Sequence, residues 1–279
     1  FIPWVCNLML VCQSVGASTL KEDDFVTRLA QASQSNQIVI NDQQASRLTD
    51  KHFTAALAWH GASPWVNAVN RGASETFERY GVRVLVTTDA QYDPAKQVAD
   101  IENIQALNPD IVLSLVIDGV SAKAGFQKIV DAGTKLVLLS NPISGFVHGK
   151  DFAGIVTDDM QGMGNRAAEV TNEYLKGNGK IGMVFHDANY FITNTRDKAF
   201  VDGLAQHPGL EILSRQGFVK EHDTSAIASA MMLRHPDLDL IYVSWDTAAE
   251  GVVQALRSDG FKNVKVISHD LGVNNLLDM

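Results

Sequence analysis

Nine short runs of apolar, largely β-branched residues recur along the chain from residue 52 onward, and they constrain the fold more than any other feature. They are HFTAALAWH (52–60), VRVLVTTD (82–89), IVLSLVID (111–118), KLVLLS (135–140), FAGIVTD (152–158), KIGMVFHD (180–187), EILSRQGFV (211–219), LDLIYVSW (238–245) and VKVISHD (264–270). Most are apolar at nearly every position, so neither face of the strand is left for water. Between most of them lie segments of 12 to 18 residues with helical spacing, such as PWVNAVNRGASETFERY and DTAAEGVVQALRSDG. Fully apolar strands alternating with amphipathic helices require parallel sheets covered on both faces. The fold class is therefore α/β, with doubly wound parallel sheets.

An internal repeat divides that pattern in two. Residues 108–140 and 235–268 read alike element by element, and Asp118 to Ser140 and Asp246 to Ser268 span the same 22 positions. Each copy has x-Pro-Asp, an apolar strand ending near an Asp, a helix closed by Gly, then a second apolar strand. Duplicated βαβ modules predict two similar lobes joined by a hinge rather than one long sheet. At 279 residues the chain has room for both. The stretch SNPISGFVHGK (140–150) is rich in turn formers and marks the expected boundary. The expected lobes are then 51–141 and 142–268, with 269–279 returning toward the hinge.

The beginning of the chain is of another kind. FIPWVCNLMLVCQSVGAS resembles the apolar core and small-residue cleavage site of a secretory signal, so residues 1–17 are expected to be a partial signal peptide. Its apolar run is too short to cross a bilayer comfortably. Residues 18–50 are polar, Gln- and Ser-rich, and form an N-terminal extension with one expected helix at 22–32. Both cysteines, Cys6 and Cys12, precede that extension, so no disulfide or cysteine-ligated metal is available from Gln13 onward. The net charge of −9 argues against nucleic acid or an anionic membrane surface as partner.

The stretch DDMQGMGNRAAEV (158–170) has the outline of a dinucleotide fingerprint in Gly162, Gly164 and Ala167. A phosphate-binding glycine turn must follow its strand directly, with backbone N–H groups facing the pyrophosphate. Here Asp158 and Asp159 intervene, and two carboxylates would repel a diphosphate. One of them is expected to cap the helix 160–176, and the glycines to allow close packing against the sheet. No G-x-S-x-G, H-E-x-x-H, Walker A or C-x-x-C motif occurs, and no two histidines stand four apart. No cofactor and no metal are expected.

In open parallel sheets ligands bind at the carboxyl ends of the strands. Collecting those positions gives His60, Ser63 and Trp65 after the first strand, Asp118 after the third, and Asn141 at the lobe boundary. The second lobe adds His186, Tyr190, Phe191 and Arg196, then Trp245 and Asp246, then His269 and Asp270. Aromatic faces mixed with Asp, Asn and Arg suit a polyhydroxylated ligand. Rings pack on its C–H surfaces while carboxylates and guanidinium take its hydroxyls. Each residue also has a structural reading, with Asp118 and Asp246 as helix caps and Trp65 and Trp245 as core.

Residues 52–275 resemble the type I periplasmic binding proteins of the ribose/galactose cluster, which serve ABC importers. The resemblance is carried by the segment 63–104 with its D-P-x-x-Q turn, by TDDMQGMGNRAAEV and by NTRDKAFVDGL. It continues through HPDLDLIYVSWDTAAEGVVQAL and VKVISHD. It implies stacking on the ligand by Trp65 and hydroxyl hydrogen bonds from Asp118, Arg196 and Asp270. Three positions depart from the family pattern: Ala199 replaces a glycine, Trp245 stands where ribose binders often place Asn, and His269 replaces a customary Phe. These changes point away from simple ribose toward another pentose, a hexose, a sugar alcohol or a diol of the autoinducer-2 kind. Family members continue for several elements beyond this Asp, whereas Met279 follows Asp270 by nine residues, so the return to the hinge is expected to be truncated. The implied protein is a periplasmic receptor, not an enzyme, with a small polar ligand and ABC transporter membrane subunits as partners. Two alternatives stand beside it. One is a receptor that signals to a membrane sensor kinase or chemoreceptor; the other is the effector domain of a transcription regulator, which would need a helix-turn-helix head.

Overall fold

A computed structural model describes residues 32–278, so the expected signal peptide and most of the helix expected at 22–32 lie outside the described residues. Two parallel sheets form the molecule. The first contains β1 (Thr54–Trp59), β2 (Arg83–Asp89), β3 (Ile111–Leu115), β4 (Lys135–Leu139) and β5 (Gly154–Val156), in the order β2-β1-β3-β4-β5. The second contains β6 (Gly179–His186), β7 (Leu210–Phe218), β8 (Leu240–Val243) and β9 (Lys265–Ile267), in the order β7-β6-β8-β9. Both follow one plan, with the repeated module supplying β3–β4 in one sheet and β8–β9 in the corresponding places of the other.

Alternation along the strands shows why they are apolar throughout. In β1, Ala56 and Ala58 enter a core with Ile101 and Ile104 of α3 (Pro94–Leu107) and Phe126 and Ile129 of α4 (Lys123–Asp131). Leu57 and Trp59 face the other way, toward Val66 of α2 (Pro64–Arg79). The second sheet repeats this. Ile241 and Val243 pack on Met231 and Met232 of α7 (Thr224–Arg234) and on Ala249 and Val252 of α8 (Asp246–Ser258). Leu240 and Tyr242 pack on Ala167 and Ala168 of α5 (Met160–Leu175) and Phe200 of α6 (Phe191–Leu204). Each sheet thus buries both faces under helices, the doubly wound arrangement read from the sequence. One cluster is shared between the lobes: Leu57, Trp59, Leu115 and Leu139 of the first sheet pack with Met160 and Ile192 of the second lobe's helices.

Several local expectations are corrected. The strand at 152–158, placed beyond the boundary by its neighbouring turn-rich stretch, pairs with β4 through Val137–Gly154, Leu138–Ile155 and Leu139–Val156. The first sheet therefore extends to Val156, and the chain enters the second lobe at residues 157–159. The cap expected from Asp158 or Asp159 is Asp159, which accepts the Gly162 N–H at 2.8 Å at the start of α5. Gly164 packs against a helix rather than the sheet, since a Cβ there would lie 2.3 Å from the Arg196 carbonyl oxygen and 2.9 Å from the Phe200 nitrogen. Within the extension, residues 42–51 form α1 (Asp42–Lys51), closed by a reciprocal capping box between Asn41 and Gln44. After β9 the described chain forms α9 (Val273–Asp278) and stays on the second lobe, where the Asn275 amide donates to the Asp246 carbonyl at 2.8 Å. No return toward the first sheet occurs among the described residues.

Candidate functional site

All strands are parallel, but the chain winds outward one way from β1 to β2 and the other way from β3 to β5, and likewise from β6 to β7 and from β8 to β9. That switch point opens a crevice at the carboxyl ends of the inner strands. In the first lobe β1 runs out at His60, whose carbonyl accepts the Tyr92 N–H at 2.7 Å. Gln91 and Tyr92 follow β2 with φ of 55° and 59°, a left-handed pair of non-glycine residues held by the Asp89 carboxylate accepting the Gln91 N–H. Gly61 makes room for the Tyr92 ring, because a Cβ there would come within 2.3 Å of it. Ser63 caps α2 through the Val66 N–H and sets Trp65 in the first turn. In the second lobe the Ser244 hydroxyl accepts the His186 N–H, tying the end of β6 to the end of β8.

Between these strand ends lies a cavity of about 670 Å³ walled by both lobes. Of the residues expected from sequence, His60, Ser63, Trp65 and Asp118 line it from the first lobe. His186, Tyr190, Arg196, Trp245, Asp246 and Asp270 line it from the second. Three expected residues do not line it. Asn141 is buried and its amide donates to the Val116 carbonyl at 2.6 Å. His269 is buried behind the wall, its Nε2 3.0 Å from the Tyr242 hydroxyl. Phe191 begins α6 and is not among the residues that line the cavity. Gln91, Tyr92, Asp158, Met160, Thr193 and Glu221 line the cavity without having been expected. Gln91, Tyr92 and Glu221 follow β2 and β7, so the strand-end rule applied to every strand would have found them.

Arg196 is the centre of the second lobe's wall, only 4% exposed. Its guanidinium donates to the Ser244 carbonyl at 2.9 Å and reaches both oxygens of Asp270 at 3.4 Å. Asp270 takes a left-handed φ of 70°, which turns its carboxylate to the arginine while His269 points back into the core. Below them Asp197 accepts the Tyr242 and Ser244 hydroxyls at 2.7 Å each and fixes the floor. Arg196 Nε and His60 Nδ1, both buried in side chains of the cavity wall, have no partner among the described residues. Asp118 is no helix cap: α4 is capped at Ala122, and Asp118 accepts the Val120 N–H in a local turn. That contact holds its carboxyl below the usual range.

The walls are aromatic. His186 meets Trp245 edge-on at 4.9 Å and Tyr190 at 5.6 Å, and Trp245 leans on Phe218 at 4.8 Å. His60 of the first lobe stacks with Tyr190 of the second at 6.0 Å and meets Tyr92 edge-on at 4.9 Å. The Trp245 indole donates to Glu221, as does the Thr247 hydroxyl. Rings and hydrogen-bonding groups thus alternate around one space, an arrangement that holds a small molecule with both C–H faces and hydroxyls.

Burial sets the protonation of these groups. It holds His60 and His186 down at about 4, and burial together with Arg196 holds His269 at about 3. An unfolded histidine takes its proton near 6.5, so between 6.5 and about 4 the unfolded chain binds more protons and stability falls as pH falls. Asp158, Asp197 and Asp246 act in the opposite direction, because burial raises their carboxyls and favours the folded state on acidification. The diagnostic quantity is therefore a difference between variants. In His60→Asn the melting temperature is expected to fall less steeply from pH 6.5 to 4 than in the unsubstituted protein; parallel curves would contradict the assignment.

Residues 55–277 match the periplasmic binding protein domain. The ribose import binding protein of Bacillus subtilis is 22% identical over 222 residues, which is 79% of this chain and 70% of that protein. The D-ribose/D-allose-binding protein of Pseudomonas aeruginosa is 27% identical over 185 residues, 64% of this chain and 57% of that one. Among solved structures, an ABC transporter solute-binding protein of Burkholderia graminis in complex with D-arabinose has the same fold. Its TM-score is 0.73 at 19% identity, over 81% of this chain and 78% of that one. Two parallel-sheet lobes facing each other across a cleft, and a domain match that runs through both, make this chain a member of the periplasmic binding protein domain family.

Proposed function

We propose that this chain is an extracytoplasmic solute receptor that takes a sugar, sugar alcohol or similar small polyol into the cleft and delivers it to an ABC importer. The observation that carries this reading is the cavity walled by both lobes, in which the Trp65, Tyr190 and Trp245 rings alternate with Asp118, Arg196 and Asp270. The names of the curated relatives, a ribose import binding protein and a ribose/allose-binding protein, support it. In this reading the protein works in the periplasm, makes and breaks no bond, and moves between open and closed forms whose balance the ligand shifts by touching both lobes.

A thermal-shift screen against pentoses, hexoses and alditols tests it. A ligand at about a hundred times its Kd adds about 2.7 kcal/mol, a rise of about 5–10 °C for a protein of this size. Asp118→Ala is expected to remove most of that rise while the ligand-free melt stays cooperative. If no sugar or alditol moves a cooperative melt, the polyol reading fails.

A further inference from the structure

The cavity has two ends of different electrical character. At one, the Arg196 guanidinium stands against Asp270 at 3.4 Å, with Asp158 in the field of both. Two carboxylates there share one buried cation. At the other, burial and then the carboxylates of Glu221 and Asp246 of the second lobe and Asp89 of the first raise the Tyr92 hydroxyl, and the nearby Lys96 is engaged by the Asp89 carbonyl and Asp100 outside the cavity wall. Around the whole cavity five carboxylates face two cations, Arg196 and Lys220, and Lys220 is exposed.

Glu221 is held in place at the end that lacks a buried cation. One of its oxygens accepts both the Trp245 indole N–H and the Thr247 hydroxyl, which fixes the carboxylate beside the Trp245 ring. Tyr92 and His186 supply further ring surface near it. His60 Nδ1, in a side chain 6% exposed, adds a buried polar atom without a protein partner on the same side as Tyr92. A neutral polyol would satisfy the hydrogen bonds here but leave the negative charge uncompensated in a partly dry site. A cation lying against aromatic faces beside a fixed carboxylate compensates it.

We propose that the ligand is an aminated polyol, an amino sugar or amino alditol, whose protonated amine sits at Glu221 between Tyr92 and Trp245 while its hydroxyls meet Arg196 and Asp270. This rests on the receptor reading above and narrows its substrate class.

Isothermal titration of the full chain near neutral pH, with matched pairs, tests the inference. The pairs are D-glucosamine with D-glucose, D-galactosamine with D-galactose, and glucamine with D-glucitol. In at least one pair the amino member is expected to bind about tenfold tighter or more. The preference should shrink at high salt and disappear in Glu221→Gln, which keeps the shape of the side chain without its charge. If in every pair that binds the neutral member binds as tightly as its amino partner, the inference is overturned and the receptor reading stands; a Glu221→Gln variant that keeps the preference has the same consequence. If no member of any pair binds while the chain melts cooperatively, this inference falls, and the receptor reading stands or falls with the wider screen of pentoses, hexoses and alditols.

Discussion

Arg196→Ala is expected to remove ligand binding and to cost about 3 kcal/mol of stability. The side chain is 4% exposed and answers two groups at once, the Ser244 carbonyl and the Asp270 carboxylate. Removing one partner of a buried ion pair leaves the other charged and undersolvated, which typically costs about 3–5 kcal/mol; the low end applies because the contact to Asp270 is long and Asp270 keeps some access to water. For a chain of this length that is a fall of about 6–12 °C in Tm. Affinity should fall by about a hundredfold or more, since charged hydrogen bonds contribute about 1.5–3 kcal/mol each. Arg196→Lys separates the two effects. It restores a charge near Asp270 but not the planar fork, so it should recover part of the stability and little of the affinity. Melts and titrations of the two variants together decide the matter; an Arg196→Ala protein that binds normally would remove the arginine from the site.

Gly164→Val is expected to be comparably damaging although the residue touches no cavity. The first added carbon would lie 2.3 Å from the Arg196 carbonyl oxygen, 2.7 Å from the Ala199 Cβ and 2.9 Å from the Phe200 nitrogen. Two of these are backbone atoms, so α5 and α6 must part. Overpacking of this kind costs about 1–3 kcal/mol or more, and two further branches of the valine put it at the upper end. Because the obstructed carbonyl belongs to Arg196, the guanidinium moves with the helix and affinity falls too. Gly162→Ala provides the contrast. There the atoms nearest the new carbon belong to the Asp159 carboxylate, a movable cap whose loss costs about 1 kcal/mol, and affinity should hold. Denaturant melts of the two variants that coincide would contradict the helix-contact argument.

The fold was legible because most strands carry two faces' worth of apolar residues. A run such as Ala56-Leu57-Ala58-Trp59 cannot be half-solvated, and each face found its own helices. The repeat was legible as well, since β8 and β9 hold the places in their sheet that β3 and β4 hold in theirs. The lobe boundary was not. β5 has three residues, Gly154 to Val156, and which sheet so short a strand joins depends on where the chain can reach, not on its own pattern. At the site, strand ends located the backbone but not the direction of each side chain. His269 and Asp270 are adjacent, yet one turns to Tyr242 and the other to Arg196 because only Asp270 adopts the left-handed conformation. Tyr92 enters the cavity by the same device, and nothing in the residues Gln91-Tyr92 announces it.

The placement of the tryptophans has a practical consequence. The sequence contains four, at positions 4, 59, 65 and 245. Trp59 sits in the cluster shared by the two lobes, Trp65 and Trp245 stand in the cavity wall, and Trp4 is the one beyond the described residues. Indole emission responds to water, to neighbouring carboxylates and to ring contacts, and Trp245 has Glu221 and His186 beside it. Two of the four indoles therefore report directly on the cleft, and changes in the colour and intensity of the protein's ultraviolet fluorescence serve as a built-in optical gauge of what occupies the space between the lobes, with no dye attached.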